Sequence, residues 1–265
     1  MVDGGRKFPK VFELTSIRSL IRTLTPNSVH FNKILSNQIH ACSRGRVMAG
    51  PFTDMRYIDS SFSSAYYPKI LGTYEQEIVE KLEFLLAKTF EKIVIAGAAE
   101  GYYAVGCALR TKANIYAFEA NPQARAALLE LAQKNRVVEQ IRIEEICDVR
   151  GLTACTMDFQ PNLLLMDIEG GEAILLDPEV IPNLQRAYII VETHEFAVPG
   201  VSELLKHRFT LSHDITDIKS QPRVILDFPI SKGFVWKLLF EGAAIQMMNE
   251  HRPNQMSWLI MSPKD

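Results

Sequence analysis

The sequence predicts an α/β fold, a largely parallel sheet with helices on both faces and a helical extension in front of it. Three observations carry that expectation. From residue 90 onward, short runs rich in β-branched apolar side chains alternate with helix-length stretches, the order that builds parallel strands joined by crossover helices. The runs stop at a glycine or a carboxylate. Two of them, 163–167 and 187–192, are apolar almost until a terminal Asp or Glu, as strands buried on both faces require.

Strands are expected over residues 92–97, where the chain breaks at Gly97, and over 114–119, 140–147, 163–167 and 187–192. Helices fill the gaps at 102–110, 122–135 and 172–184. Asn121 caps the second of these, with Pro122 in its first turn where a missing N–H costs nothing. A helix over 201–207 follows, then two late strands, 209–219 and 256–261, as an antiparallel pair with a helix over 236–248 between them. Residues 220–233, with two prolines and one glycine, read as a loop. In front of the sheet, residues 6–35 are amphipathic and helical in pattern, 43–67 are rich in Gly, Ser, Pro and aromatic residues, and 74–88 form a helix that leads into the first strand. The chain therefore divides into an extension at 1–89, acting as a lid or a homodimer contact, and a ligand-binding domain at 90–265.

At 265 residues and 47% hydrophobic, the chain can bury a sizeable core. A formal charge of -2 gives no surplus of Lys and Arg to neutralise phosphates, so no nucleic-acid partner is expected. Its apolar runs fall far short of the roughly 20 residues that cross a bilayer, and residues 1–10 lack the apolar centre of a signal peptide. A cytoplasmic protein without a membrane partner is the expectation. Cys42, Cys107, Cys147 and Cys155 show no C-x-x-C spacing and read as reduced, buried thiols.

In an open α/β sheet, ligands bind outside the carboxyl ends of the strands, and here those ends carry Gly97-Ala-Ala-Glu-Gly101, Glu119, Asp148, Asp167-Ile-Glu-Gly-Gly-Glu172 and Glu192-Thr-His-Glu195. Gly97 and Gly101 allow a ligand close to the backbone. Glu119, 18 residues after Gly101, is placed to hold the two hydroxyls of an adenosine ribose. A dinucleotide would need a G-x-G-x-x-G turn for its pyrophosphate. Only the first position matches, since Ala99 and Tyr102 occupy the others and Glu100 adds a repelling charge.

The phrases VIAGAAEGYYAVGCALR, YAFEANP, LLLMDIEGGE and IIVETHEF together resemble a class I S-adenosylmethionine (SAM)-dependent methyltransferase, and specifically the FkbM type, whose fourth strand ends in D-x-E-G-x-E. Asp167, Glu169, Gly170 and Glu172 match that phrase. AGPFTDM at 49–55 and LGTYEQE at 71–77 also look like segments that precede the cofactor domain in a branch of these proteins. The resemblance spans residues 49–196. It departs from the usual turn at Ile95, where an acidic residue is normal, and at Ala99, where a glycine is. It implies a Rossmann-like sheet, SAM as cofactor and O-methylation of a sugar, glycan or specialised metabolite.

On that reading Gly97, Ala98, Glu100, Gly101, Tyr102, Glu119, Ala120, Asp148 and Asp167 hold the cofactor. Glu100 or Asp167 would take over the polar contact that Ile95 cannot make, and Asp148 meets the adenine amino group or merely caps the next turn. Tyr102 and Tyr103 pack over the cofactor or belong to the core. Glu192 and His194, two apart in an extended segment, project to one side. With Asp167 they form the expected catalytic group, His194 being a neutral general base oriented by Glu192. Glu169 and Glu172 read equally well as carboxylates at a helix N-terminus. Mg²⁺ held by Asp167, Glu169 and Glu192 is an alternative use of the same oxygens, and spacing does not choose. The rival readings are a non-catalytic binding or assembly protein on a retained sheet and an NAD(P)-dependent oxidoreductase.

Overall fold

The computed structural model describes residues 28–62, 64–157, 162–230, 233–252 and 254–264. They build a seven-stranded sheet in the order β3-β2-β1-β4-β5-β7-β6. The strands are β1 (Lys92–Ala96), β2 (Asn114–Phe118), β3 (Ile141–Glu144), β4 (Leu163–Met166), β5 (Tyr188–Thr193), β6 (His213–Lys219) and β7 (Ser257–Pro263). β1 to β5 pair in parallel, whereas β7 runs antiparallel to both β5 and β6. The expected Rossmann-like α/β sheet is present, and the two late strands pair as the sequence predicts.

Alternation along each strand divides the core between two faces. Ile93 and Ile95 of β1 face one apolar cluster and Val94 and Ala96 the other. The first face is covered by α4 (Tyr102–Arg110) and α5 (Pro122–Asn135), the second by α6 (Val149–Thr156) and α8 (Val201–Phe209). Asn121 caps α5 as expected, accepting from the amides of Gln123 (2.9 Å) and Ala124 (3.4 Å). Apolar side chains from the extension, including Leu35 and Ile39 of α1 (Ser28–Ser43), Phe52 and Tyr57, join the first cluster. Residues 6–27 of the anticipated amphipathic helix lie outside the described residues.

Local chemistry accounts for the departures. The helix anticipated over 172–184 is cut to α7 (Glu172–Leu175), followed by a 3₁₀ turn at Pro182–Arg186. Pro178 and Pro182 disfavour helical backbone in the residues before them. Arg208 takes the freed carbonyls of Ala173 (2.6 Å) and Leu176 (3.1 Å). The helix anticipated over 74–88 starts with the turn Gln76–Ile78 before α3 (Val79–Leu86), because Glu75 adopts left-handed backbone, φ 47°. The third strand stops at Glu144, so residues 145–147 are irregular. The helix α9 (Phe234–Met247) packs on α1, with the Phe31 and Phe240 rings edge-on at 5.2 Å. α2 (Tyr66–Leu71) belongs to the segment laid over the first face. Cys107 and Cys155 are buried, but Cys42 is exposed, against the expectation of a core thiol. Among the described residues, no helix is long and apolar enough to cross a membrane.

Candidate active site

Strand register sets up the site. Ala96 pairs with Phe118 on β2 and Met166 on β4, and Met166 pairs with Val191 on β5. One step further along each parallel strand come Glu119, Gly97, Asp167 and Glu192, and Glu192 itself pairs with Trp258 on β7. Residues distant in sequence thus form one row at the carboxyl edge of the sheet. A cavity of about 490 Å³ opens between this row and the segment carrying Tyr74 and Glu75, within the roughly 300–1,000 Å³ usual for a small-molecule site.

At the β1–β2 end, Gly97, Ala98, Ala99, Tyr102, Glu119 and Ala120 line the cavity. The Glu119 carboxylate is fixed by two amides, one to each oxygen: Ala99 N–H (2.8 Å) and Asn121 N–H (2.8 Å). Each oxygen keeps acceptor capacity for a further donor. Gly97 has φ +84°, and an added Cβ would lie 1.7 Å from the Asp167 carbonyl oxygen. Its missing side chain therefore serves strand-to-strand contact as well as ligand approach. Ala99 stands in left-handed backbone at φ 46°, a conformation that costs an L-residue about 1–2 kcal/mol. Ala99→Gly is expected to stabilise the fold by about 0.5–1 kcal/mol, after the larger chain entropy of glycine is counted. A lower thermal midpoint in the variant would refute that account of the turn.

Three residues expected to hold the cofactor have other work. Glu100 is fully buried and does not line the cavity. It accepts from the Tyr57 hydroxyl (2.5 Å), Ser61 (3.2 Å) and the Phe62 amide (2.9 Å), and from the buried Lys69 ammonium. Burial raises its pKa, but Lys69 overcomes that and holds the carboxyl below its usual range. Glu100 is thus the anchor of the overlying segment. Gly101 packs on Leu128, whose Cγ would meet an added Cβ at 2.8 Å. Asp148 accepts from Gly151 N–H at 2.7 Å as the N-cap of α6.

At the β4–β5 end, Asp167, Glu192 and His194 do converge: one ligand atom from each lies within 4.8 Å of the others. Their pairing differs from expectation. His194 is flanked by Glu172 (Nδ1 to Oε1, 2.8 Å) and Asp167 (Nε2 to Oδ1, 3.3 Å), not by Glu192. Burial lowers its pKa, but the two carboxylates overcome it and push it up to about 10. The imidazole is therefore held between two carboxylates, neither of them the Glu192 expected to orient it. Glu172 opens α7, as the helix-terminus reading expects, and also keys the 167–170 turn, accepting from Ile168 N–H (3.1 Å) and Gly170 N–H (2.8 Å). Glu169, at φ 53°, lines the cavity from that turn.

Sequence reasoning missed Arg252 and Glu75. Arg252 is bonded to Glu192, to Glu75 (2.8 Å) and to Glu250 (2.8 Å), with its guanidinium 4.8 Å from the Trp258 ring centroid. Glu75 also accepts from the Tyr103 hydroxyl. Burial pushes the Glu192 pKa up, the neighbouring Asp167 and Glu75 add to it, and Arg252 offsets only part, leaving it at about 9. The phrase LGTYEQE marked Glu75 as part of a recognisable segment. Arg252 carries no comparable signal.

No family model matches the chain, and no curated protein matches it. Solved structures do resemble it. A precorrin-6y C5,15-methyltransferase from Geobacter metallireducens is 12% identical over 70% of this chain and 88% of that one, with a TM-score of 0.46. An rRNA methylase from Streptococcus thermophilus is 13% identical over 71% and 97%, also at 0.46. The M. jannaschii TYW2 protein in complex with AdoMet is 14% identical over 71% and 76%, at 0.40. Likeness of this degree assigns no role to any residue here.

Proposed function

We propose that this chain is a SAM-dependent methyltransferase acting on a hydroxyl of a small-molecule or glycan acceptor. The observation that carries the reading is Glu119: a strand-end carboxylate on the cavity wall, each oxygen oriented by a backbone amide and each able to accept once more. That is the receptor a ribose diol needs. SAM, when bound, supplies an activated methyl group on a positively charged sulfur. The chain's own residues do the rest. Gly97 and Ala98 form the floor, and Ile95 contributes only an apolar wall, so Asp167 and Glu169 supply the carboxylate contacts expected from its position. The segment bearing Tyr74 and Glu75 excludes water. Asp167, whose side chain is 45% exposed, accepts the acceptor's hydroxyl proton, with His194 steadying it from behind. Glu192, held by Arg252, closes the far wall.

The finer FkbM-type assignment and the sugar-like acceptor rest on the sequence phrases alone. An antiparallel β7 between β5 and β6 supports the reading over a dinucleotide enzyme, whose usual sheet order is 3-2-1-4-5-6. Calorimetric titration with S-adenosylhomocysteine tests it. Wild type is expected to bind, and Glu119→Ala to bind about 10–100-fold more weakly, the worth of charge-assisted hydrogen bonds of about 1.5–3 kcal/mol. NAD is the control. Absence of binding to the folded chain would sink the proposal and favour a non-catalytic role.

A further inference from the structure

We infer that Asp167, Glu192 and His194 form a binding site for one divalent first-row cation of the Mn²⁺ type, with Glu172 orienting the histidine. The inference goes beyond methyl transfer and does not depend on it. Geometry comes first. Atoms that share a cation at about 2.1 Å, at tetrahedral or octahedral angles, lie roughly 3.0–3.4 Å apart. Asp167 Oδ1 and His194 Nε2 are 3.3 Å apart, and a carboxylate oxygen of Glu192 completes a triangle with no edge above 4.8 Å.

The two sides of the imidazole differ in a telling way. Nδ1 meets Glu172 at 2.8 Å, the usual length of a charge-assisted bond, while 3.3 Å on the Nε2 side is long for one. A carboxylate on one ring nitrogen with the other turned to a cation is the standard arrangement of metal-ligating histidines. Glu172 is fully buried and locked by two backbone amides, so the ring orientation is set before any cation arrives. The D-x-E-G-x-E phrase thereby gains a physical reading: its first residue is a ligand, its last the residue that aims the histidine.

Charge points the same way. Arg252 bonds Glu75, Glu192 and Glu250, the last shared with Arg223, which also pairs with Glu77, and Asp167 adds a further carboxylate, so carboxylates outnumber guanidiniums. The cluster has room for positive charge. Asp167 opens to the cavity, which leaves coordination positions for water or an acceptor oxygen. Two carboxylates favour a hard cation, and one imidazole shifts the preference from Mg²⁺ toward Mn²⁺.

The test uses the whole chain, stripped of metal with a chelator and without SAM. Mn²⁺ binding is followed by the paramagnetic resonance signal of the free ion and by calorimetry. One saturable Mn²⁺ per chain is expected, lost in Asp167→Asn and weakened about 10–100-fold in Glu172→Gln. Glu119→Ala, at the other end of the cavity, should keep full Mn²⁺ affinity while binding S-adenosylhomocysteine about 10–100-fold more weakly, so that the two readings can fail separately. Circular dichroism establishes that each variant is folded. The inference is overturned if folded wild type takes up no Mn²⁺ saturably, or if binding survives both Asp167→Asn and His194→Gln; the gap beside Nε2 then holds only a proton.

Discussion

Lys69→Met is expected to lower the unfolding free energy by about 3–5 kcal/mol, the usual cost of removing one partner from a buried ion pair. Lys69 and Glu100 are both buried and directly bonded. Methionine keeps most of the volume, so the loss comes from stranding the Glu100 carboxylate where water cannot reach it. Three other donors remain on that carboxylate, from Tyr57, Ser61 and Phe62, but none carries a charge. Neutralising both partners, in Lys69→Met with Glu100→Gln, should recover at least half of the loss. Urea denaturation of the single and double variants measures this, and a double variant no more stable than the single would show that the pair is not what fastens the segment.

The same pair makes stability depend on pH. The folded state holds the Glu100 pKa below its ordinary value, so its contribution is complete above the unfolded pKa, near 4.5, and fades as pH falls through the folded value. Wild type should lose stability more steeply below that pH than the double variant does. Because the anchored segment carries the cavity wall at Tyr74 and Glu75, ligand affinity should fall over the same range.

The sheet was legible in the sequence because its central strands are buried on both faces, which forces apolar runs that end where solvent or ligand begins. Glu119, Asp167 and Glu192 were legible for the same reason: a carboxylate closing an apolar strand needs a partner. What those carboxylates touch was not legible. Arg252 lies 60 residues from Glu192 and 177 from Glu75, and no period or motif links a loop guanidinium to a strand end. Glu100 misled because it follows a glycine turn. Its partner Lys69 sits 31 residues upstream in an aromatic stretch that gives no sign of a buried ammonium. His194 stands beside Asp167 and pairs with Glu172 rather than Glu192, since strand alternation puts Glu192 on its side while the fold of the 167–170 turn brings Glu172 nearer. The shortened α7 was legible in principle, from Pro178 and Pro182.

Gly97→Ala is expected to be the most damaging of the glycine-turn substitutions, at about 3 kcal/mol or more, or to prevent folding at 37 °C. Two costs combine. Left-handed backbone at φ +84° penalises any L-residue by about 1–2 kcal/mol. The new methyl would also stand 1.7 Å from the Asp167 carbonyl oxygen, a backbone atom that can yield only if β1 and β4 move apart. Overpacking of that kind typically costs about 1–3 kcal/mol. Gly101→Ala carries a similar backbone penalty at φ +97° and meets the Leu128 side chain at 2.8 Å, a less severe overlap than a backbone carbonyl at 1.7 Å, so its loss should be smaller, while Ala99→Gly should run in the opposite direction. The order of midpoints in thermal unfolding is therefore Ala99→Gly above wild type, then Gly101→Ala, then Gly97→Ala. If Gly97→Ala proved milder than Gly101→Ala, the close approach of β1 to β4 would not be what this glycine provides. The consequence extends to chemistry, because the carbonyl that Gly97 accommodates belongs to Asp167. A folded Gly97→Ala variant, obtained at low temperature, should show weakened Mn²⁺ uptake as well as weakened S-adenosylhomocysteine binding, since one displaced strand end carries both.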